Sequence, residues 1–295
     1  MKRTGFIAIV GKPNVGKSTL LNAMLGEKVA IVSSKPQTTR NRIMGILTRG
    51  EDQFVFVDTP GIFSPRNQLG DYMVKTANAS MQDADAVILV TDVSHDPADV
   101  EEKVIRYLKQ SGVPSVLVLN KIDKCRAEEV AERIQQYAAM HDFNAFVPAS
   151  AQKGKGIKGV LDECVPFLRE SEWFFPDDIA TDQSARQMVS EVIREKVLRT
   201  LNKEIPHGVA VVVEEYKDEG SLVRIRAEIY CEKASHKGIL VGKGGVELKR
   251  IGSYARQDLE KILDAKVFLD LWVKVKENWR DSTASVANFG YKDDM

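Results

Sequence analysis

Three short segments carry residues whose types and spacing suit a single ligand. In Gly11-Lys12-Pro13-Asn14-Val15-Gly16-Lys17-Ser18 the glycines let backbone N–H groups wrap phosphate oxygens at a helix N-terminus. Lys17 is spaced to reach β- and γ-phosphates, and the Ser18 hydroxyl to coordinate Mg²⁺. Asp58-Thr59-Pro60-Gly61 adds a carboxylate for the same ion, through water, and an N–H at Gly61 that senses the γ-phosphate. Asn120-Lys121-Ile122-Asp123 reads the base. An aspartate there accepts from guanine N1 and the N2 amine, a pairing adenine cannot offer, and a site built around such an acceptor rejects the mismatched base. Ala149-Ser150-Ala151 fits the loop whose backbone N–H meets guanine O6. A chance GxxxxGK[ST] occurs in on the order of 1% of chains this long, while DxxG alone is common, so the weight lies in the order of the pieces. That order predicts a GTP site made of Gly11, Asn14, Val15, Gly16, Lys17, Ser18, Thr19, Asp58, Gly61, Asn120, Lys121, Asp123, Ser150 and Ala151.

Between Val32 and Ile43 the segment Ser33-Ser34-Lys35-Pro36-Gln37-Thr38-Thr39-Arg40 has no periodicity and lies where a switch loop belongs. A threonine there closes over the γ-phosphate and completes a Mg²⁺ shell of Ser18, Thr39 and Asp58. Thr39 is favoured over Thr38, but spacing does not decide between them. Lys17, Thr39, Gly61 and Asn14 are the residues expected to act on the γ-phosphate. The position after Gly61, where many GTPases carry a water-orienting glutamine, is Ile62. An aliphatic side chain cannot orient water, so unaided hydrolysis is expected to be slow; even glutamine-bearing Ras manages only ~10⁻⁴ s⁻¹. Asn14 is a candidate ligand for K⁺ beside the phosphates, which would do an arginine finger's electrostatic work. The competing reading is that Asn14 only caps the loop.

The elements that must hold these segments follow from periodicity. Residues 5–170 alternate apolar runs, read as strands at 5–10, 43–48, 53–58, 86–92, 114–120 and 144–149, with helices at 17–25, 69–82, 97–111, 126–140 and 157–170. The turn Arg49-Gly50-Glu51-Asp52 makes one hairpin, and the rest is βα alternation. The expectation is a mixed six-stranded α/β sheet covered on both faces, with ligands beyond the carboxyl ends of the strands. A linker at 173–183, beginning at Trp173-Phe174-Phe175-Pro176, ends a first domain of residues 1–172.

Residues 184–280 follow a different order, α-β-β-α-α-β, with Gly242-Lys243-Gly244-Gly245 between the two middle helices. GxxG is cheap: Gly156-Ile157-Lys158-Gly159 is a second copy, read as a helix entry. Gly242–Gly245 differs in context, since apolar Ile239, Leu240 and Val241 precede it and an amphipathic helix follows. That arrangement matches a K-homology (KH) domain, whose loop lets a nucleic-acid backbone approach closely. From 236 to 256 only Glu247 is acidic, while His236, Lys237, Lys243, Lys249, Arg250 and Arg256 gather around the loop. The expected RNA-binding set is Lys237, Ile239, Gly242, Lys243, Gly244, Gly245, Lys249 and Arg250. Trp272 and Trp279 read as packing residues, and the polar tail 281–295, ending Lys292-Asp293-Asp294-Met295, as mobile.

Composition limits the alternatives. Forty-two basic and 42 acidic residues cancel, so any attraction to nucleic acid or membrane is local. Three scattered cysteines, Cys125, Cys164 and Cys231, in or beside apolar segments suggest buried thiols in a reducing compartment. The apolar runs are strand-sized, too short to span a bilayer.

Taken over residues 5–280, the chain resembles Era, the bacterial family of Ras-like GTPases with a C-terminal KH domain, within the TrmE–Era–EngA group. The resemblance rests on Gly11–Ser18, Gln37-Thr38-Thr39-Arg40, Asp58–Gly61 with aliphatic Ile62, Asn120–Asp123, Ser150-Ala151 and His236–Gly245. It implies a KH domain of type II and binding near the 3′ end of 16S ribosomal RNA during 30S assembly. It further implies a cytoplasmic monomer, peripheral association with the inner face of the membrane, and no DNA partner. The alternative is a membrane-linked regulatory switch whose KH-like domain binds protein. A P-loop kinase is excluded, because NKxD has no task there.

Overall fold

The structure, a computed structural model, describes residues 1–202 and 205–292. By contact density it divides into two units. One comprises Met1–Val32, Thr39–Pro65 and Met73–Asp182; the other comprises Ser33–Thr38, Arg66–Tyr72 and the chain from Gln183 onward.

In the first unit, β1 (Arg3–Val10), β2 (Ile43–Arg49), β3 (Asp52–Asp58), β4 (Ala86–Asp92), β5 (Ser115–Asn120) and β6 (Ala145–Pro148) form a sheet of order β2-β3-β1-β4-β5-β6. β2 runs antiparallel to β3 through the expected hairpin, and the other pairs along this order are parallel. Central strands such as β4 are buried at nearly every position, which is why they read as unbroken apolar runs. Helices α1 (Lys17–Leu25), α2 (Gln68–Gln82), α3 (Asp99–Ser111), α4 (Ala127–Met140) and α5 (Ile157–Cys164) connect the strands. Two apolar clusters fill this unit, one holding Leu20, Leu21 and Val160, the other Ala77, Leu108 and Tyr137.

Two expectations fail here. The helix read as 157–170 stops at Cys164, and a short strand β7 (Arg169–Glu170) pairs antiparallel with the start of β1. Pro166 accounts for this: it has no N–H to continue the α-helical ladder, so the chain leaves α5 through a short 3-10 turn at Val165–Phe167 before β7. The stretch read as a linker is also tied to the sheet. Phe174 stacks on Phe6 at 4.9 Å, Gln53 brackets the backbone of Phe175, and the Ile46 N–H donates to the Ala180 carbonyl at 2.8 Å.

The second unit carries α6 (Ala185–Thr200), β8 (Ala210–Asp218), β9 (Leu222–Cys231), α7 (Ala234–Val241), α8 (Val246–Ile262), β10 (Lys266–Val275) and α9 (Thr283–Asn288). This is the α-β-β-α-α-β order read from the sequence, extended by α9. Its start has a sequence signature: the Ser184 hydroxyl accepts from the Gln187 N–H, and the Gln187 side chain accepts from the Ser184 N–H. The sheet has order β10-β9-β8, with β9 antiparallel to β8 and parallel to β10. Val192, Ile193, Ile225, Ile229, Ile251 and Leu259 lie in its core. The tail expected to be mobile is instead ordered through Lys292, because it carries aromatic anchors. Trp279 is fully buried, its indole N–H donates to the Gly208 carbonyl at 2.9 Å, and Phe289 packs edge-on against it at 5.1 Å. Asp293, Asp294 and Met295 lie outside the described residues. Trp279 is therefore the packing residue expected, but Trp272 is 59% exposed on β10. Cys164 and Cys231 are buried, Cys125 only partly.

Candidate functional sites

The three segments read as a nucleotide site converge at the carboxyl ends of β1, β3 and β5. Gly16 caps α1 with φ of 103°, and a Cβ placed there would lie 2.2 Å from Asn120 Nδ2. No larger residue fits both the left-handed backbone and the neighbour. Lys17, Ser18 and Thr19 form the first turn of α1, which holds no acidic side chain, so its N–H groups and dipole face an incoming anion unopposed. Lys17 is buried, and its Nζ donates to the carbonyls of Gly11 at 3.1 Å and Lys12 at 2.8 Å. Burial pushes its pKa down to about 8, against the pull of Asp58. Asp58 is fully buried, and burial raises its pKa to about 6 against Lys17 and the hydroxyls of Ser18 and Thr39.

Those hydroxyls define a tight cluster of oxygens. Ser18 Oγ donates to Asp58 Oδ2 at 2.6 Å, Thr39 Oγ1 donates to the same atom at 3.2 Å, and the two hydroxyls are 2.8 Å apart. Asp58 Oδ1 is buried without a protein partner. Hard oxygen donors around an unsatisfied carboxylate suit Mg²⁺. Thr38 takes no part: its Oγ1 donates to the Lys35 carbonyl at 2.7 Å. Of the two adjacent threonines, Thr39 is the one whose hydroxyl lies beside Asp58.

Ile62 is buried in the apolar cluster beneath the P-loop, and its N–H donates to the Gly11 carbonyl at 3.1 Å. The residue after Gly61 therefore points into the core, where even a polar replacement could not reach an attacking water without unpacking. Asn14 sits exposed with φ of 66°. Its carbonyl accepts from Lys121 Nζ at 2.6 Å, and α1 receives no side-chain cap.

The base-reading segment does more than the sequence revealed. Asn120 is buried, its Nδ2 donates to the Val15 carbonyl at 2.7 Å, and its Oδ1 accepts from the Ala151 N–H at 2.9 Å. One side chain thereby joins the Gly11–Ser18 loop to the Ser150-Ala151 loop. Lys121 Nζ bonds both the Asn14 carbonyl and Asp92 Oδ2, the latter at 2.7 Å. Burial favours protonation of Asp92, but hydrogen bonds from Lys121 and Ser94 outweigh it and hold the pKa below the usual range. Asp123 is exposed, and its Oδ1 accepts from the Ser150 hydroxyl, which keeps the carboxylate ionised and lowers its pKa. Asp92 was not singled out from sequence; its only signal is its place at the end of β4.

In the second unit, Gly242, Gly244 and Gly245 have φ of 74°, 63° and 82°, which makes the loop between α7 and α8 a glycine construction. Lys243 is exposed at its tip. A cavity of about 570 Å³ opens beside the loop between α8 and β10, lined by Gly245, Leu248, Lys249, Ser253, Arg256 and Phe268 among others. Its floor is apolar and its rim basic, which suits unstacked bases with a phosphate backbone alongside. Of the residues expected to bind RNA, Gly245 and Lys249 line this groove, with Gly242, Lys243 and Gly244 in the adjoining loop. Lys237 and Ile239 are exposed on α7, and Arg250 lies on the opposite flank of α8. Phe268, 55% exposed with the Arg224 guanidinium 5.7 Å from its ring, was missed: an aromatic on a strand reads as core until the sheet's open face is known.

Comparison with known proteins finds matches to both parts of the chain. Residues 6–121 match the family model described as 50S ribosome-binding GTPase, and residues 204–280 match the KH domain model. The chain is 48% identical to GTPase Era of Clostridium kluyveri over 293 residues, covering 99% of this chain and 100% of that protein. It is 45% identical to GTPase Era of Ruminiclostridium cellulolyticum, covering 98% of each. Among solved structures it resembles Era in complex with MgGDPNP and nucleotides 1506–1542 of 16S ribosomal RNA, with a TM-score of 0.96 and 38% identity over 99% of this chain and 100% of that one. A variant of Aquifex aeolicus Era bound to GDP·AlF4⁻ has a TM-score of 0.95 at 39% identity over the same shares.

Proposed function

The chain belongs to the Era family of GTPases, and from that membership and the geometry above we propose that it hydrolyses GTP and uses the nucleotide to time its hold on the 3′ region of 16S ribosomal RNA in 30S assembly. The observation that carries the reading is the oxygen cluster of Ser18, Thr39 and Asp58 beside buried Lys17. It links a switch-loop residue directly to the phosphate-binding helix. The family model that names the 50S particle covers only residues 6–121, whereas the RNA-bound Era structure matches nearly the whole chain, so the small-subunit reading has the wider support.

The division of labour follows from the site. Backbone N–H groups of Gly11–Thr19 cradle the phosphates, and Lys17, held by two P-loop carbonyls, turns its charge toward the β- and γ-oxygens. Ser18, Thr39 and Asp58 would hold Mg²⁺, which when bound neutralises charge developing on the phosphoryl oxygens. Asp123 selects guanine, and Ser150 orients its carboxylate. Closure of Thr39 over the γ-phosphate exists only with GTP, so the GTP state and the GDP state differ at the switch loop, as any population shift requires. Ile62, packed into the core, offers nothing to the attacking water, and turnover is slow without help. Asn14, whose side chain is uncommitted to the P-loop helix, would hold K⁺ beside the phosphates.

In the second unit the GxxG loop admits the RNA backbone and the apolar groove takes bases. The chain works in the cytoplasm as a monomer. Among the described residues no helix is long and apolar enough to cross a membrane, and a peripheral attachment would be read by cell fractionation. The deciding experiment measures affinity for the 1506–1542 RNA with GDP and with a GTP analogue. Lys243→Asp combined with Gly244→Asp should abolish RNA binding and leave nucleotide affinity intact. Unchanged RNA binding would refute the KH reading and favour a switch whose second unit docks on protein.

A further inference from the structure

We propose that Arg194 of α6, with Lys35 as a second tie, is a positioning residue for the GTPase reaction. It holds the carbonyls of Gln37 and Thr38 and so sets where the next residue, Thr39, meets Ser18 and Asp58. The proposal rests on the reading of Thr39 as the residue that closes over the γ-phosphate and completes the Mg²⁺ shell.

The segment Ser33–Thr38 belongs to the second unit together with α6, whereas Thr39 belongs to the first. Its shape is not one that a free chain prefers. Gln37 has φ of 60°, a left-handed backbone that a residue with a Cβ disfavours. Internal bonds make a compact turn: Thr38 Oγ1 donates to the Lys35 carbonyl at 2.7 Å, and the Lys35 N–H donates to Ser33 Oγ at 3.0 Å. Two cations then tie the turn to α6. Lys35 Nζ donates to the carbonyls of Leu198, at 2.5 Å, and Leu201, where the end of the helix leaves carbonyls without intrahelical partners. Arg194 Nη2 donates to the Thr38 carbonyl, and Nη1 reaches the Gln37 carbonyl at 3.5 Å.

Arg194 is only 1% exposed, so its charge has to be met by protein groups. Glu191, one turn earlier on α6, meets part of it: Nε donates to Oε1 at 2.8 Å and Nη2 donates to Oε2, a paired geometry that fixes the guanidinium plane. The loop carbonyls of Gln37 and Thr38 meet more. Departure of the loop would take both from a buried guanidinium, which favours the position the loop holds. A peptide unit is planar, so fixing the Thr38 carbonyl also fixes the Cα of Thr39. From there Thr39 Oγ1 lies 3.2 Å from Asp58 Oδ2 and 2.8 Å from Ser18 Oγ. Arg194 thus acts on the Mg²⁺ shell through one peptide bond and touches neither nucleotide nor metal ligand itself.

The test compares the full chain with Arg194→Gln, Thr39→Ala and the double variant. The readout is the ratio of affinities for a non-hydrolysable GTP analogue and for GDP, by fluorescence titration in Mg²⁺. Arg194→Gln should lower that ratio about 10-fold, the worth of one charge-assisted hydrogen bond. In the Thr39→Ala background the same substitution should change it by less than ~2-fold, because its effect runs through the lost hydroxyl. Arg194→Lys, which keeps the charge and can meet one carbonyl, should recover part of the ratio. Lys35→Met cuts the second tie from the loop side, leaves the Arg194–Glu191 pair in place, and should lower the ratio as well. A parental ratio in a folded Arg194→Gln would overturn the proposal, as would a parental ratio in Lys35→Met if Arg194→Gln does not fold. An undiminished effect of Arg194→Gln in the Thr39→Ala background would also overturn it, since the arginine would then act by another route. In each of those cases a lowered ratio in Thr39→Ala leaves the Thr39 reading standing. If Thr39→Ala keeps the parental ratio, that reading fails and the proposal with it.

Discussion

Asn120 is the residue whose role the structure changes most, and truncating it to alanine separates that role from simple base contact. The side chain satisfies two groups that water does not reach, the Val15 carbonyl and the Ala151 N–H. A buried backbone group left unpaired costs about 1–3 kcal/mol, so losing both partners costs ~2–6 kcal/mol, and about 3 after one water enters the space vacated. For a domain of this size each kcal/mol moves the melting temperature by ~2–4 °C, which predicts a fall of about 6–12 °C. The assay is thermal unfolding of nucleotide-free protein, followed by near-UV signal from the first unit. Because no nucleotide is present, a residue that touched only the base would leave the transition unmoved. A shift under ~2 °C would refute the claim that Asn120 splices the P-loop to the guanine loop. GDP affinity should fall as well, but that result alone would not discriminate.

Asp123→Asn should shift preference from guanine to xanthine nucleotides in competition binding, and retained guanine preference would undo the base-reading assignment. Thr39→Ala should weaken binding of a GTP analogue with Mg²⁺ far more than binding of GDP, whereas Thr38→Ala, which loses only a bond to the Lys35 carbonyl, should change either by less than ~3-fold. Replacing Na⁺ by K⁺ should raise kcat in the parent chain and not in Asn14→Ala; equal rates in the two salts would dismiss the potassium role. Burial, seconded by Lys109 and opposed by Asp142, holds the His141 pKa below its usual 6.5, so the folded state favours the neutral ring. Its contribution is complete above pH 6.5 and is lost as pH falls toward the folded value; His141→Gln should flatten that part of a denaturant-midpoint profile.

The phosphate and base segments were legible because their chemistry is written in consecutive residues. Gly11–Ser18 needs glycine backbone and a lysine at fixed spacing, and Asp58 and Asp123 need only to end a strand and open a turn. The strand and helix alternation was legible for the same local reason, since burial on both faces leaves unbroken apolar runs. Pro166 shows how a local signal can be passed over: the helical pattern ran through it, and the α-helical ladder gave way there to a 3-10 turn.

What the sequence by itself determined is the ligand, through residue types whose spacing is set by chain geometry alone, and the order of elements in both units. Tertiary structure decided which of two adjacent threonines meets Asp58, because one peptide unit reverses the direction of a side chain. It turned Ile62 into the core, made Asn120 a splice between Val15 and Ala151, 136 residues apart in sequence, and brought Trp279 inside while leaving Tyr254 and Phe268 in water. Those outcomes depend on what packs against each residue from elsewhere in the chain, and no spacing rule contains that information.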